Sequence, residues 1–434
     1  MTISLQNTSL PHVVIVGGGF AGIQTAKNLT NAHVEVTLID RANHHVFQPL
    51  LYQVATADLS PADISAPIRT MLRHQRNCTV LMAEVVGVDT VHQQVILESH
   101  VPVQYDYLIL ATGARENYFG HDEWRRYAPG LKTLADGTSL RQTILAAMET
   151  AEITDDPILQ SAYQTFVLVG GGPTGVEMAS AIAELTHKSM TSEFRRIDPA
   201  QTRIILVEAT ARLLTAFPEK LANYVVKTLT KKGVEIQLNT PVTNIDANGV
   251  QSGDRFIAAK TVIWTAGVLA SPAGKWLGSE VDRAGRVLVE PDLTVPGYSN
   301  VYVIGDTAGV KQEKGILPGV APVAMQEGRY VAQSIITRLQ QQPVSTPFVY
   351  NNKGNMAIVG RGSAIADLGW IRFTGWLGWV MWAFVHILFL ISFRNRVAVM
   401  SQWAWSYLTN QRSARLITNV RTTVAEQRKD TVVV

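Results

Sequence analysis

The chain has 434 residues, of which 47% are hydrophobic and 17% are charged, a composition that excludes a disordered chain and predicts two or three folded domains. The formal net charge of +3 gives no indication of nucleic-acid binding. The single cysteine, Cys78, excludes an internal disulfide, a dithiol redox centre and a cysteine-rich zinc site, so any redox chemistry must come from a cofactor.

The first predicted unit begins close to the N-terminus. Residues 1–11 are polar and lack the basic and apolar regions of a secretory signal. Residues 13–29 (VVIVGGGFAGIQTAKNL) then read as a β-branched strand, a G-x-G-x-x-G turn and a helix. The glycines allow a tight turn, close approach to a pyrophosphate and close packing of strand and helix. The next apolar run ends in Asp40, where an acid is expected to accept a ribose hydroxyl, with Arg41 near the adenine.

The same pattern recurs 153 positions later. Residues 166–182 (FVLVGGGPTGVEMASAI) repeat the strand, turn and helix, and residues 203–208 end in Glu208. Two copies predict two dinucleotide-binding units, each with a pyrophosphate at a helix N-terminus. We expect Glu208 to accept the ribose 2′-hydroxyl and to repel a 2′-phosphate, which favours NADH over NADPH, although Arg212 can soften that preference. The alternative is a solvated acid at a strand end.

Three shorter runs predict strands that border these two units. Residues 107–113 (YLILATG) and 300–306 (NVYVIGD) indicate that the first unit holds FAD, with Asp306 near a ribityl hydroxyl. Residues 262–267 (VIWTAG) are the matching strand and turn of the second unit. The first unit is therefore predicted to be interrupted by the second.

The predicted fold class is α/β, with two Rossmann-like dinucleotide-binding domains and a C-terminal membrane-anchoring helical region. The predicted domains are an FAD domain formed by residues 1–115 and 285–345, an inserted NADH domain of residues 116–284, and a C-terminal region of residues 346–434 with membrane-associating helices at about 370–416.

The C-terminal region contains the most apolar part of the chain. Residues 373–393 lack Lys, Arg, Asp and Glu over 21 positions, which is long enough to span a bilayer. Six of the nine tryptophans lie between positions 370 and 405, however, and tryptophan favours the headgroup level. We therefore interpret the region as two helices that lie in one leaflet. A spanning helix at about 373–393 and a buried dimer core are the alternatives.

A basic tail follows. From Arg394 onward there are seven basic and two acidic side chains, an excess that indicates an anionic lipid surface. Arg412 and Arg415 are expected near the end of the second helix, where they would face the lipid. A solvated helix end is the alternative.

Three runs together carry a family resemblance. Residues 43–55 (NHHVFQPLLYQVA), 319–328 (GVAPVAMQEG) and 382–396 (WAFVHILFLISFRNR) resemble the type II NADH:quinone dehydrogenases of the pyridine nucleotide–disulfide reductase superfamily. Disulfide reductases and sulfide:quinone reductases need a cysteine pair, which this chain lacks. The resemblance implies a non-proton-pumping respiratory enzyme that passes hydride from NADH to FAD and then two electrons to a membrane quinone.

The resemblance also implies a location, an assembly and a set of site residues. We expect a homodimer that associates with the membrane surface on the cytoplasmic side, where NADH is present. If the source is bacterial, the membrane is expected to be the inner membrane. The expected FAD-binding residues are Gly17, Gly19, Phe20, Ala21, Gly22, Asp40, Arg41, Gln48, Ala111, Thr112, Gly113, Gly305 and Asp306. The expected NADH-binding residues are Gly170, Gly172, Pro173, Thr174, Gly175, Glu208, Ala266 and Gly267.

The expected catalytic residues are Glu177 and Gln326, and the expected quinone-side residues are Pro322, Gln326 and His386. Glu177 is implied to lie near the nicotinamide, where it orients NADH or passes a proton; the alternative is that it only complements the helix dipole. Gln326 is expected to bond a quinone carbonyl, and a structural bridge is the alternative. Many relatives carry A-Q-x-A-x-Q here, but this chain has Pro322 at the first glutamine. His386 is a candidate for the quinone entrance, and a satisfied interior histidine is the alternative.

The remaining candidates carry weaker signals. His44 and His45 lack further ligands at suitable spacing, so no metal site is predicted. Gln48, Tyr52 and Gln53 are expected on the flavin side, with a surface loop as the alternative. The absence of a bundle of apolar helices predicts a non-electrogenic enzyme. Two other functions stay open: an enzyme with another acceptor, such as ferredoxin or a biosynthetic naphthoquinone, and an NADH-sensing flavoprotein.

Overall fold

The computed structural model describes residues 10–313, 315–343 and 346–418, so that much of the predicted basic tail, including Arg421, Arg428 and Lys429, lies outside the described residues. Contacts divide the chain into two compact units. Unit 1 comprises Met1–His45, Ala66–Arg115 and Val268–Lys353, and unit 2 comprises Val46–Ser65, Glu116–Gly267 and Gly354–Val434. The domain limits given by the sequence stay a prediction.

The helices, in chain order, are α1 (Phe20–Asn28), α2 (Leu51–Ala55), α3 (Pro61–Ile64), α4 (Ile68–Leu72), α5 (Leu134–Ile153), α6 (Pro157–Tyr163), α7 (Pro173–Glu184), α8 (Glu219–Lys231), α9 (Ala273–Leu277), α10 (Ala321–Leu339), α11 (Gly375–Phe389) and α12 (Phe393–Thr409). A π-helical turn, Leu185–Ser189, follows α7, and 3-10 turns lie at Gln48–Leu50, Asp122–Arg126, Pro199–Gln201 and Gly305–Thr307.

The strands of the first half are β1 (His12–Val16), β2 (Glu35–Asp40), β3 (His44–Val46), β4 (Ser65–Pro67), β5 (Cys78–Met82), β6 (Val85–Asp89), β7 (Gln94–Leu97), β8 (Val103–Gln104), β9 (Tyr107–Leu110), β10 (Ala114–Glu116), β11 (Thr165–Val169) and β12 (Arg203–Val207). Those of the second half are β13 (Val234–Gln237), β14 (Asn244–Asp246), β15 (Gly249–Ser252), β16 (Arg255–Ala258), β17 (Thr261–Trp264), β18 (Val268–Ala270), β19 (Val287–Leu288), β20 (Val301–Val303), β21 (Ala308–Gly309), β22 (Lys311–Gln312), β23 (Gly315–Ile316), β24 (Asn355–Ile358), β25 (Ala364–Asp367) and β26 (Arg372–Thr374).

Unit 1 is built on a parallel five-stranded sheet in the order β20-β9-β1-β2-β5. The β-branched run of β1 is almost wholly buried, as expected for a parallel strand covered on both faces. Val16 at the end of β1 lies opposite Ile39 and Leu110. Because these parallel strands end together, Asp40 and Ala111 lie at the edge where the first glycine-rich turn begins. Helices α1 and α10 pack against each other in this unit.

Unit 2 repeats this arrangement with a parallel four-stranded sheet in the order β13-β12-β11-β17. Val169 at the end of β11 lies opposite Val207 and Trp264. Glu208 therefore lies at the same sheet edge as the second glycine-rich turn, and it is the counterpart of Asp40. Helix α7 packs on β11 and β12 and also contacts α2 and β24, so it occupies the centre of this unit.

The C-terminal part of unit 2 consists of the antiparallel strands β24, β25 and β26, followed by α11 and α12. Helix α11 packs on β25, and α12 packs on α3. The apolar run noted in the sequence is divided between β26, the 15 residues of α11 and the start of α12. Within the described part of the chain, no helix combines the length and the hydrophobicity needed to cross a membrane.

Candidate functional site

The first glycine-rich turn, in unit 1, has the close backbone packing that its motif predicts. Gly17 has φ +108°, and a Cβ atom there would lie 2.2 Å from the carbonyl oxygen of Ala111. A Cβ atom on Gly22 would lie 1.9 Å from the carbonyl oxygen of Gly17. These two glycines therefore bring the turn, the adjacent strand and helix α1 together. A Cβ atom on Gly19, in contrast, would meet no atom within 4 Å, so the turn faces open space there.

That open space adjoins the N-terminus of α1, where Phe20 and Ala21 form the first turn. The N-cap residue Gly19 has no side chain with which to bond the first helical N–H groups. These N–H groups and the helix dipole favour a negatively charged ligand group. The turn thus fits the pyrophosphate of a dinucleotide. Gly113 is open in the same way, because a Cβ atom there would meet nothing within 4 Å.

Asp40 is fixed by the turn that it faces. Its Oδ2 accepts the backbone N–H of Gly18 at 2.5 Å, and its Oδ1 accepts the backbone N–H of Ala42 at 2.7 Å. The carboxylate is thus held at the end of β2, as the motif requires, while Arg41 is exposed. A ribose hydroxyl would bond to the remaining lone pairs of the carboxylate.

A hydroxyl network joins two of the other segments of unit 1 that are predicted to bind FAD. Thr112 Oγ1 lies 2.5 Å from Ser271 Oγ and 3.3 Å from Thr307 Oγ1, and Thr307 in turn donates to the carbonyl oxygen of Gly113 at 3.1 Å. This network ties the turn after β9 to the 3-10 turn that contains Asp306. Gln48 is the exception among the predicted FAD residues, because it belongs to unit 2, where its amide lies 3.4 Å from the carbonyl oxygen of Lys132.

A buried carboxyl that the sequence reading missed supports the same 3-10 turn. Glu327 of α10 is 1% exposed, and its Oε2 accepts the backbone N–H of Gly305 at 2.5 Å. Burial raises the pKa of Glu327 to about 8, with a smaller contribution from the charge of Asp306. An acid placed directly before a glycine on the inner face of a helix was the signal available in the sequence.

The second glycine-rich turn, in unit 2, reproduces the first. Gly170 has φ +115°, and a Cβ atom there would lie 2.6 Å from the backbone nitrogen of Ala266. A Cβ atom on Gly175 would lie 1.9 Å from the carbonyl oxygen of Gly170, whereas one on Gly172 would meet nothing within 4 Å. Helix α7 begins at Pro173, and its N-cap Gly172 provides no side-chain hydrogen bond. This helix N-terminus also fits a pyrophosphate.

Glu208 is bonded as Asp40 is. Its Oε2 accepts the backbone N–H of Gly171 at 2.6 Å, and its Oε1 accepts both the backbone N–H and the hydroxyl of Thr210 at 2.8 Å. Arg212 lies nearby, and its guanidinium donates to the carbonyl oxygen of Thr215 at 2.9 Å. Gly267, also predicted for this site, contacts Phe119, since a Cβ atom on Gly267 would lie 2.6 Å from Phe119 Cζ.

Glu177 lies on α7, one turn after the glycine-rich segment, and it is partly buried. Its Oε1 accepts the backbone N–H of Ile358 at a long 3.4 Å. Desolvation raises the pKa of Glu177 to about 8, so the carboxyl is mainly protonated at neutral pH. A protonated carboxyl can donate as well as accept, which suits either of the predicted roles.

Two turns further along α7 stands a buried charge cluster that the sequence reading missed. Lys232 Nζ lies 2.6 Å from Glu184 Oε1, which also accepts the backbone N–H of Arg361 at 2.8 Å. Arg412 Nη1 donates to the carbonyl oxygen of Thr56 at 2.6 Å, and Arg412 Nε lies 3.6 Å from Asp58 Oδ1. The signal in the sequence was the acid seven positions after Glu177, on the same apolar helix face.

This cluster corrects one expectation. Arg412 was expected to face lipid at the end of an interfacial helix, but its side chain is 1% exposed and is surrounded by the carboxylates of Asp58 and Glu184. Those two acids offset the desolvation of the guanidinium, which explains why a basic residue is buried there. Arg415 forms an ion pair with Glu193, with an N–O distance of 2.6 Å.

The predicted quinone-side residues lie in both units. Gln326 of α10, in unit 1, makes two bonds with the backbone of Asn351: its Nε2 donates to the carbonyl oxygen at 3.0 Å, and its Oε1 accepts the N–H at 2.9 Å. Pro322 occupies the first turn of α10, as its missing N–H allows. Both residues are partly buried.

His386 of α11, in unit 2, is held by aromatic contacts. Its ring stacks on Trp382 with a centroid distance of 4.2 Å, and Phe47 meets it edge-on at 6.1 Å. Its Nδ1 lies 2.7 Å from the carbonyl oxygen of Trp382. Burial lowers the pKa of His386 to about 4, so the imidazole is neutral at physiological pH.

The two histidines that precede the first 3-10 turn have separate partners. His45 Nδ1 lies 2.8 Å from the carbonyl oxygen of Gly18, and His44 Nδ1 lies 2.8 Å from Asn43 Oδ1. Among the residues that the structure describes, no group of three or more His, Cys, Asp or Glu side chains is arranged to hold a metal ion.

Comparison with known proteins agrees with this geometry. Residues 11–328 match the pyridine nucleotide-disulphide oxidoreductase family, and residues 352–412 match the NDH2 C-terminal domain. Two type II NADH:quinone oxidoreductases of Mycobacterium tuberculosis, NdhA and Ndh, are 42% and 43% identical to the chain. Both alignments cover 94% of this chain, with 89% of NdhA and 90% of Ndh.

A solved structure shares the fold. NDH2 from Plasmodium falciparum, in complex with NADH, superposes with a TM-score of 0.85 over 94% of this chain and 99% of that one, at 20% identity. The chain therefore belongs to the pyridine nucleotide-disulphide oxidoreductases and, among them, to the type II NADH:quinone oxidoreductase family. The predicted family, α/β fold class, enzyme class and cofactor pair of FAD and NADH are confirmed.

Proposed function

We propose that this chain oxidises NADH and reduces a membrane quinone without pumping protons. The overall reaction consumes NADH, one proton and the quinone, and yields NAD⁺ and the quinol. The observation that carries the proposal is the pair of glycine-rich turns, each open at a helix N-terminus and each facing a bonded acid, in a chain 42% identical to NdhA. FAD, when bound, supplies the two-electron chemistry that the protein side chains lack.

We assign the two turns to the two dinucleotides. In unit 1, the N-terminus of α1 holds the FAD pyrophosphate, and Asp40 accepts a ribose hydroxyl. In unit 2, the N-terminus of α7 holds the NADH pyrophosphate, and Glu208 accepts the ribose 2′-hydroxyl. Support comes from the open Cβ positions of Gly19 and Gly172, which leave the backbone free to approach a phosphate.

We further assign Glu177, Gln326 and His386 to the reaction. Glu177, mainly protonated at neutral pH, orients the nicotinamide or passes a proton. Gln326 and Pro322 lie on the quinone side, where the amide of Gln326 is already oriented by its two bonds to Asn351. His386 stays neutral and contributes an apolar, aromatic surface at the quinone entrance.

The membrane assignment rests on exposed apolar side chains on and beside α11 and α12. Trp376 and Phe384 of α11 are each 64% exposed, and Leu408 of α12 is 84% exposed. Large apolar side chains exposed together favour a lipid interface, and the tryptophan suits the headgroup level. We propose that these helices lie in one leaflet, on the cytoplasmic side of the membrane. If the source is bacterial, that membrane is the inner membrane. We also propose that the enzyme is a homodimer.

The catalytic proposal is tested by anaerobic stopped-flow measurement with the FAD-loaded enzyme. NADH is mixed first and a soluble quinone second, and rapid loss and return of flavin absorbance are expected. Reoxidation by ferredoxin but not by quinones would contradict the quinone assignment. Slow turnover with a long-lived reduced state would instead favour the NADH-sensing alternative.

The membrane and assembly proposals are tested by flotation and sedimentation. The wild type should float with vesicles that contain anionic lipid in a density gradient. A variant with Trp376, Phe384 and Leu408 changed to Ser should remain in the bottom fraction, without vesicles. Ile158, 80% exposed on α6, provides the matched control, because Ile158→Ser removes an exposed apolar side chain elsewhere. Equal flotation of both variants would contradict the assigned surface. Sedimentation equilibrium in detergent checks for the dimer mass.

A further inference from the structure

A directional chain of hydrogen bonds runs through unit 2 from α12 to α2. Trp403 Nε1 donates to Gln53 Oε1 at 2.8 Å, and Gln53 Nε2 donates to Tyr52 Oη at 2.7 Å. All three residues are buried. An indole N–H can only donate, so the amide atom that faces Trp403 must be the oxygen. The amide nitrogen of Gln53 then faces Tyr52, and the direction of both bonds is set by Trp403.

The chain ends at a hydroxyl proton that lacks an acceptor. Tyr52 Oη accepts from Gln53, and within the described residues no protein atom accepts the proton of Tyr52. Burial, together with the nearby carboxyl of Glu177, holds the pKa of Tyr52 well above its ordinary value. The phenol therefore stays protonated and has one hydrogen bond left to donate.

The cavity beside Tyr52 is lined by further donors of the same kind. It has a volume of about 30 Å³. Among its lining residues, Ser180 and Trp382 each carry a buried donor, Oγ and Nε1, without a hydrogen-bond partner within the part of the chain that the structure describes. Both residues are 1% exposed. The hydroxyls of Tyr52 and Ser180 and the indole of Trp382 can each donate.

Buried donors without a partner lower the stability of the folded protein, so a group of them around one cavity is evidence for a ligand. A buried polar group without a partner destabilises a protein, because it has lost its hydrogen bonds to water. Three spare donors on residues that line one cavity therefore indicate a ligand that presents an acceptor atom there. A quinone carbonyl oxygen and an ordered water molecule share that chemistry. The volume suits one or two oxygen atoms rather than a ring, so only the carbonyl edge of a quinone would enter.

We propose that Tyr52 donates a hydrogen bond to a carbonyl oxygen of the quinone, and that Trp403 and Gln53 orient Tyr52 for this bond. The inference rests on the proposed function and deepens it. No proton moves in this interaction: Tyr52 keeps its proton and polarises the carbonyl. Because Trp403 belongs to α12, the C-terminal helix orients the donor that binds the acceptor.

The role of Trp403 makes a distinctive prediction. Without the indole N–H, the amide of Gln53 is free to rotate, and its oxygen then accepts the proton of Tyr52. Tyr52 no longer donates into the cavity, so Trp403→Phe should reproduce the defect of Tyr52→Phe. The double variant should be no worse than either single variant, because both remove the same bond.

The kinetic test uses the FAD-loaded full chain, with duroquinone and ferricyanide as alternative acceptors. A hydrogen bond contributes about 0.5–1.5 kcal/mol, so Tyr52→Phe should raise the KM for duroquinone roughly 2- to 12-fold. Ferricyanide reduction by each variant reports whether the reaction of NADH with the flavin is intact. Tyr224→Phe is the control, because the Tyr224 hydroxyl already lies 2.9 Å from Ser363 Oγ.

The spectroscopic test reads the bond itself. Infrared difference spectra with ¹³C-carbonyl-labelled duroquinone should show a lowered carbonyl frequency in the wild type, and Tyr52→Phe and Trp403→Phe should restore the higher frequency. An unchanged KM and unchanged frequency in folded Tyr52→Phe would overturn the proposal and leave water as the occupant. Additive KM effects in the double variant would overturn the role of Trp403.

These outcomes are separate from a failure of the proposed function. If the wild type reduces ferricyanide but no quinone, the proposed function is wrong. If it reduces duroquinone and Tyr52→Phe does so equally well, only the present inference is wrong. Tyr52→Phe alone decides the main point even if Trp403→Phe fails to fold, as FAD content and circular dichroism would reveal.

Discussion

The backbone N–H of Gly171 donates to Glu208 Oε2 at 2.6 Å. The acid that is expected to accept the ribose 2′-hydroxyl therefore also holds the glycine-rich turn in place. A carboxylate can do both, because each oxygen has two lone pairs. Binding of the dinucleotide and the shape of its turn are thus coupled through one side chain.

We therefore expect Glu208→Gln to have two effects. Loss of the negative charge should narrow the preference for NADH over NADPH, because a 2′-phosphate is no longer repelled. Since the amide nitrogen cannot accept an N–H, one bond to Gly171 or Thr210 is lost, and the KM for both cofactors should rise. Steady-state kinetics with each cofactor measures this. An unchanged ratio of kcat/KM for the two cofactors would refute the assignment.

Gln326→Ala should slow reoxidation of the flavin by quinone and leave its reduction by NADH intact. The loss of two bonds to Asn351 should also lower the free energy of unfolding by about 1–3 kcal/mol. Stopped-flow half-reactions and urea unfolding separate the two effects. Gln333→Ala, an exposed change on the same helix, is the control. Equal slowing of both half-reactions would place Gln326 elsewhere.

Arg412→Ala should destabilise the protein by about 3–5 kcal/mol, because it leaves the buried Glu184 and the partly buried Asp58 with one cation fewer. Arg415→Ala removes a more exposed ion pair with Glu193 and should cost about 0–1 kcal/mol. Urea unfolding of both variants tests the difference. If Arg412→Ala unfolds like the wild type but loses membrane binding, the buried position of Arg412 would be contradicted.

Glu327→Gln should flatten the dependence of stability on pH. The pKa of Glu327 is raised from 4.5 to about 8 in the folded state, so the folded protein binds more protons between these values. The free energy of unfolding therefore falls as pH rises from about 4.5 to 8 and levels off above that. Glutamine does not titrate and can still accept from Gly305. Urea unfolding at pH 5 to 9 should show a weaker fall for the variant, and an equal fall would refute this.

Glu177 titrates in the same window, because its pKa is also raised to about 8. The variant Glu327→Gln should therefore keep the part of the fall in stability that Glu177 contributes, and the double variant with Glu177→Gln should lose that part as well.

The two dinucleotide-binding units could be predicted from the sequence, because the role of each glycine depends on its spacing within a short motif. The spacing of Gly17, Gly19 and Gly22 already encodes a turn, an open approach and a close packing contact, and each appears at its expected place. The acids Asp40 and Glu208 follow from strand length and parallel pairing alone. The bonds between these acids and the glycine-rich turns join residues that are 22 and 37 positions apart.

The buried charge cluster around Arg412 and the hydrogen bonds from Trp403 through Gln53 to Tyr52 could not be predicted in the same way. Arg412 looks like a basic residue at an amphipathic helix end, and nothing near it in sequence indicates that Asp58 and Glu184 surround it. Gln53 and Trp403 are 350 positions apart. Local patterns report exposure on average, whereas burial of a charge depends on distant partners that only the folded chain assembles.

The bond between Arg412 and Thr56 also has a consequence for biosynthesis. These residues are 356 positions apart, so the segment around Thr56 is made long before its partner. At about 5–20 residues per second, a ribosome needs roughly 20 to 70 s to synthesise the intervening chain. During that interval the carbonyl oxygen of Thr56 lacks this donor, and a premature stop codon just before position 412 would make the loss of the bond permanent.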